Sequence, residues 1–106
     1  MRHSSRRAAD LMRALASETR LMLLCQLVPG ERPVGALAEA LDLRPSTVSQ
    51  QLALLRKDGL VETRREAQTI YYRLAGDEAR RVIEVLYDLY CGPSLLQVGE
   101  EAAAEA

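Results

Sequence analysis

The chain contains no phenylalanine and no tryptophan, a single histidine, two cysteines and four prolines in 106 residues. Each scarcity excludes something. Without Phe or Trp, any core must be filled by Leu, Val, Ala and the four Tyr. Leu- and Ala-rich segments broken by few Pro and Gly favour a mainly α-helical fold. The length has room for one domain, and a domain this short often completes its core with a second copy. Two Cys and His3 cannot assemble four nitrogen and sulfur ligands for zinc without carboxylates, so no metal and no cofactor are expected. No apolar run approaches the roughly 18 residues a membrane-crossing helix needs. The basic stretch Met1 to Asp10 is not followed by an apolar signal-peptide core. The expectation is a cytoplasmic protein with no membrane partner, whose Cys25 and Cys91 are thiols by default rather than a permanent staple. A nucleophile–base pair, a phosphate loop and paired acids are also missing, so an enzyme is not expected; lone Ser, Glu and His3 read as caps and solvated surface.

What is present is an uneven distribution of charge. Residues 1–43 hold six basic and five acidic groups, net +1. Residues 44–73 hold Arg44, Arg56, Lys57, Arg64, Arg65 and Arg73 against Asp58, Glu62 and Glu66, net +3. Residues 74–106 carry seven acids against Arg80 and Arg81, net −5. Short charge clusters are most often plain solvated surface. Here the basic residues gain meaning from the elements that carry them.

Ser4-Ser5 can cap a first helix from about Arg6 to Ala16, with Leu11, Met12 and Leu15 on one side. Ser17 caps a second, Glu18 to about Val28, whose Leu21, Leu24, Cys25 and Val28 follow the i, i+3, i+4, i+7 rule of a buried face. Pro29-Gly30 stops it. Pro33 suits the first turn of a third, short helix with Val34, Leu37, Ala38 and Leu41 inward. After the turn Asp42-Leu43-Arg44, Pro45 opens a fourth helix to about Lys57, and Asp58-Gly59 ends it. Two short helices joined so tightly are the helix-turn-helix pattern. Beyond Gly59 the period becomes alternating: Leu60 to Arg65 and Thr69 to Leu74 predict a β-hairpin with the polar tip Glu66-Ala67-Gln68. A fifth helix, Asp77 to about Tyr90, follows, with Val82, Val85, Leu86 and Leu89 on its apolar side, and Gly92-Pro93 ends it. The expected organisation is one domain over 1–92 and an acidic, flexible tail over 93–106.

On the fourth helix Val48, Leu52 and Leu55 face inward. At about 100° per residue the opposite face carries Ser46, Thr47, Gln50, Leu54 and Lys57, with Ser49 also among the polar side chains near the N-terminus and Gln51 on the flank. Short hydroxyls and amides at a helix N-terminus suit the DNA major groove, where Gln can take a bidentate contact to adenine. The helix N-terminus, Thr47 and Lys57 can bind phosphate. Taken alone, this face is equally an ordinary polar surface. The hairpin shifts that balance: Arg64 and Arg65 beside a polar tip look like a wing that grips backbone and minor groove.

The motifs together resemble the ArsR family of repressors. Leu15-Ala16-Ser17-Glu18-Thr19-Arg20-Leu21 is similar to the family's entry motif. Leu37-Ala38-Glu39-Ala40-Leu41 and Ser46-Thr47-Val48-Ser49-Gln50-Gln51-Leu52 are similar to its helix-turn-helix, with Gln51 where many members carry His. Arg56-Lys57-Asp58-Gly59-Leu60-Val61 through Ile70-Tyr71-Tyr72-Arg73-Leu74 resembles its exit from the recognition helix and its wing. The resemblance covers roughly residues 10–91. It implies a winged helix-turn-helix with five helices and a two-stranded hairpin wing, a homodimer paired mainly through its first and last helices, double-stranded DNA with an imperfect palindromic operator as partner, and repression until an inducer is sensed.

For the inducer, the resemblance also guides the expectation. Many members bind metal through a C-x-C pair at the start of the third helix; Pro33 and Gly35 occupy those positions. Others use Asp and His on the last helix, where this chain has no His. Cys25 and Cys91, with the segments Arg64 to Tyr72 and Tyr87 to Cys91, resemble the BigR/SqrR subgroup, which implies that the two thiols sense reactive sulfur species. Alternatives stay open at this point. Cys25 can be a small core hydrophobe, a common role for a thiol. The protein can be a metal- or arsenic-responsive repressor using Cys25, Cys91 and a carboxylate, or a dimeric interaction module that has lost DNA binding.

Overall fold

The computed structural model describes residues 2–90. Five helices and a small sheet follow one another as α1 (Arg2–Leu15), α2 (Glu18–Gln26), β1 (Arg32–Pro33), α3 (Val34–Leu41), α4 (Pro45–Lys57), β2 (Val61–Glu66), β3 (Thr69–Leu74) and α5 (Asp77–Tyr90). Cys91, the end of the fifth helix at Gly92-Pro93, the boundary after residue 92 and the acidic segment 93–106 lie outside the described residues. The mainly helical winged helix-turn-helix is as expected.

Local chemistry explains most element ends. Ser17 caps α2 by accepting the Arg20 amide, as its position ahead of Glu18 suggests. At the end of α4, Gly59 takes φ +75°. The Leu60 amide then reaches back to the Leu55 carbonyl at 2.9 Å and the Gly59 amide to that of Arg56 at 3.0 Å. This is a Schellman end, and its hydrophobic clasp, Leu55 with Leu60, joins the core. α3 ends in the same way around Asp42 at φ +54°, with the Leu43 amide on the Ala38 carbonyl at 2.9 Å. A short polar side chain tolerates that left-handed position better than most.

Four expectations need correction. α1 begins at Arg2, so Ser4 and Ser5 lie inside it rather than capping it. No Pro or Gly interrupts residues 2–15, and the capping preference of Ser is too weak to stop a helix unaided. α2 ends at Gln26, two residues early; its deepest residues are Leu23 and Leu24, with Leu27 buried just past its end, while Leu21, Cys25 and Val28 are half-buried. Pro33 precedes α3 in extended conformation instead of opening its first turn. The reason is the fourth difference: Arg32 and Pro33 form a strand paired to Tyr72 and Tyr71, so the sheet has three antiparallel strands in the order β1–β3–β2 instead of two. Two residues are too short for an alternating pattern, and Pro, lacking an N–H, is confined to an edge strand such as this one.

The core is one cluster drawn from every helix and both hairpin strands. Leu23, Leu37, Val48, Leu52 and Leu55 are fully buried, with Leu24, Ile83 and Val61 close behind. Each such Leu contributes about 1.5–3 kcal/mol relative to exposure. Arg20 ties three elements beside it: its guanidinium donates to the Ala14 carbonyl at 3.2 Å and pairs with Asp58 at 3.4 Å, joining α1, α2 and the end of α4. The recognition geometry therefore rests on a well-packed α2–α3–α4 unit. α5 contributes Ala79 and Ile83 to the core and leaves Val85, Leu89 and Tyr90 exposed by 57%, 56% and 75%.

Candidate nucleic-acid interface

α4 is held by its inner face and open on its outer one. Val48, Leu52 and Leu55 have no exposure at all. Ser46, Ser49, Gln50 and Lys57 are exposed, and Thr47 and Gln51 are half-buried on the flanks. Among the described residues none of these side chains bonds within the chain, so their donors and acceptors face outward. The helix begins at Pro45 with Arg44 before it and no side-chain cap. The amides of Ser46 and Thr47 therefore lead the helix without intrahelical partners, the arrangement that accepts an anion such as phosphate. Arg56 and Lys57 occupy the last turn. Leu54, 43% exposed, adds an apolar patch to the same face.

The wing follows α4 in the chain and splits its two expected arginines between its faces. Successive strand residues point to opposite faces. One face carries Val61, Thr63 and Arg65 on β2, opposite Leu74, Tyr72 and Ile70 on β3. Val61 and Leu74 are buried at the base of this face, whereas Arg65 and Ile70 are exposed near the tip. Arg65 Nε donates to the Ala67 carbonyl at 3.3 Å within the turn. No carboxylate among the described residues pairs with it. Ala67 holds φ +54° in a two-residue turn, a position Gly or Asn would fill with less strain.

The other face is an ion-pair network. Arg64 Nε donates to both Glu31 carboxylate oxygens at 3.1 Å, and its Nη2 donates to Oε1 as well. Its Nη1 pairs with Glu66 at 3.3 Å, and the guanidinium lies 4.7 Å from the Tyr71 ring centroid. Arg73 pairs with Glu62 at 2.6 Å across the hairpin. The Arg64 hydrogen bonds hold the Glu31 carboxyl below its ordinary value of 4.5, and Glu31 with Glu66 raises the Arg64 guanidinium further above its own. Sequence reasoning named Arg64 and missed Glu31, because nothing in the pattern links residues 33 positions apart.

Cys25 is half-buried on α2, packed against the core. The groups of His, Cys, Asp and Glu among the described residues include no set of three that could hold a metal ion. No described helix is long and apolar enough to cross a membrane.

The family model described as bacterial regulatory protein, arsR family, matches residues 17–63, from the cap of α2 to β2. The biofilm growth-associated repressor of Agrobacterium fabrum is 54% identical over 85 residues, spanning 80% of this chain and 73% of that protein. The transcriptional activator HlyU of Vibrio cholerae is 48% identical over 91 residues, spanning 86% and 84%. Among solved structures, the transcriptional repressor BigR from Xylella fastidiosa superposes with a TM-score of 0.80 at 41% identity, covering 86% of this chain and 90% of that one. A homodimeric winged helix-turn-helix DNA-binding domain from Mycobacterium bovis superposes at 0.67 with 39% identity, covering 80% and 82%.

Proposed function

This chain belongs to the ArsR family of bacterial regulatory proteins, and from that membership we propose that it is a cytoplasmic, homodimeric transcriptional repressor whose grip on its operator is released when reactive sulfur joins Cys25 to Cys91. The observation that carries the DNA half is the polar row on α4, Ser46, Thr47, Ser49, Gln50 and Gln51 with Lys57, together with Arg65 exposed on the wing that follows it. In this reading Gln50 meets a base edge in the major groove, while the leading amides, Thr47, Lys57 and Arg65 hold phosphates. Two copies place two such helices in successive major grooves, so the operator is an imperfect palindrome with half-sites about 34 Å apart, or a multiple of that. The exposed Val85, Leu89 and Tyr90 on α5 and Met12 on α1 supply the apolar surface for pairing. Repression follows the 54%-identical relative, which is named a repressor.

The sensing half rests on the position of Cys25, half-buried on the helix that packs against α5, and on the sequence, which places Cys91 directly after Tyr90. A direct disulfide needs Cα atoms about 4.4–6.8 Å apart; an inserted sulfur relaxes that demand. With an organic trisulfide, R–S–S–S–R, the first cysteine thiolate attacks the central sulfur and expels RS⁻. The second thiolate attacks the same sulfur and expels the other RS⁻, leaving Cys–S–S–S–Cys; two thiols are oxidised and the trisulfide is reduced. Such a bridge ties α2 to the end of α5 and shifts the pairing surface, and with it the spacing of the two α4 helices. Release requires only that the bridged state bind DNA less well than the dithiol.

The test is a titration of a fluorescent duplex from the region upstream of the gene, before and after glutathione trisulfide, with intact mass measured in parallel. Cys25→Ser and Cys91→Ser are each expected to bind the duplex and to keep it after treatment. If either variant lets go as the wild type does, the two-thiol switch is wrong.

A further inference from the structure

We infer that Arg64 is a positioning residue, a strap across the wing that sets its angle to the helix-turn-helix, and not a contact to DNA; this rests on the DNA-binding reading above. The register makes the strap visible. Arg64 on β2 is opposite Tyr71 on β3, and Tyr71 is opposite Pro33 on β1. The three residues form one row across the full width of the sheet. Glu31, two residues before Pro33, belongs to the same face by strand alternation. The Arg64 side chain runs along this row, over the Tyr71 ring, and closes on both oxygens of Glu31. A guanidinium forked on a carboxylate and resting on an aromatic face has a defined direction, which an ammonium would lack.

What the strap connects gives it its role. Glu31 lies in the short segment between α2 and β1, and α3 begins directly after β1. Besides this strap, the hairpin is joined to the body by the two-residue β1–β3 pairing and through Gly59 at one end and Gly76 at the other, both at positive φ. Beyond the buried base at Val61 and Leu74, the outer hairpin residues are exposed or half-buried, so few apolar contacts restrain the tip. Arg64 restrains it from the side facing away from Arg65. The neighbours thus divide the work: Arg65 is presented, and Arg64 holds the strand that presents it. The same link leads from the wing to the segment that follows the helix carrying Cys25.

A phosphate contact and a strap predict opposite outcomes for one substitution. Glu31→Gln takes the charged Glu31 partner from the Arg64 guanidinium, leaving it only Glu66 and the Tyr71 ring, and removes a negative charge from the base of the wing. If Arg64 held a phosphate, the variant would bind more tightly and with a steeper salt dependence. The strap predicts weaker binding, about threefold to tenfold, with an unchanged salt slope. Arg64→Lys should lose a similar factor although its charge is kept, and Glu31→Gln/Arg64→Lys should lose no more than either single change, since both remove one interaction. The measurement is a titration of the labelled upstream duplex at several salt concentrations, with hydrogen exchange of the β1–β3 amides in the DNA-free protein. Both single variants should raise exchange at Arg32 and Tyr72 severalfold. Tighter binding by Glu31→Gln, additive losses or unaltered exchange each overturn the strap. If the wild type binds no duplex, the DNA reading fails instead, and the exchange result alone decides whether Arg64 pins the wing.

Discussion

α4 and α5 are almost equal in length, thirteen and fourteen residues, and each has one face in the core, yet their other faces differ in kind. α4 buries Val48, Leu52 and Leu55 completely and turns hydroxyls and amides outward. α5 buries Ala79 and Ile83, half-buries Val82 and Leu86, and turns Val85 and Leu89 outward. A polar outer face on a rigidly seated helix suits a partner read by hydrogen bonds. An apolar outer face suits a partner that excludes water, and for a chain of this size a second copy is the economical one. The seating differs too: α4 is clamped between a Pro at its start and a Schellman end, so its outward side chains are carried on a helix with defined limits.

The comparison can be broken at either helix. Leu52→Ala removes a side chain with no exposure from the inner face of α4 and should cost about 2–5 kcal/mol of folding stability, measured by urea unfolding. A loss below about 1 kcal/mol would mean that α4 is not seated as described. Leu89→Asp strikes the outer face of α5 and should leave the secondary structure intact. It should weaken self-association by at least about 2 kcal/mol in sedimentation equilibrium, because it buries a charge in the pairing surface. An unchanged dimer would move the pairing surface elsewhere. Arg65→Ala tests the wing tip more gently. It should lower affinity for operator and random duplex alike and reduce the salt slope by about one unit.

Much of this contrast is legible in the sequence, and for identifiable reasons. Pro45 and Gly59 bracket α4 because each has a backbone preference that few contexts override. Val48, Leu52 and Leu55 keep helical spacing inside that bracket, so the polar row opposite them follows. The entry at Ser17 and the hairpin are read from equally local chemistry. What the sequence leaves open is where an apolar face goes. In α5 the pattern Val82, Val85, Leu86 and Leu89 marks a stripe, but periodicity cannot divide it between the chain's own core and a partner; Ile83, almost fully buried, is the residue that makes the division. In α2 an all-apolar run from Leu21 to Cys25 left the inward direction to be fixed by packing, which selected Leu23 and Leu24. β1 and the Glu31–Arg64 link were illegible, because a two-residue strand has no period and an ion pair between distant residues has no local signature. The adjacent Arg64 and Arg65 read as one basic cluster until strand alternation separates them.

The claim that the outer face of α4 reads DNA bases is tested most directly at Gln50. Gln50→Ala should be titrated against the footprinted operator and a random duplex of equal length at the same salt. The account predicts a loss of about 1–3 kcal/mol on the operator and little change on random DNA, because a bidentate base contact is removed and no phosphate contact is touched. Equal losses on the two duplexes, or none on either, would contradict it.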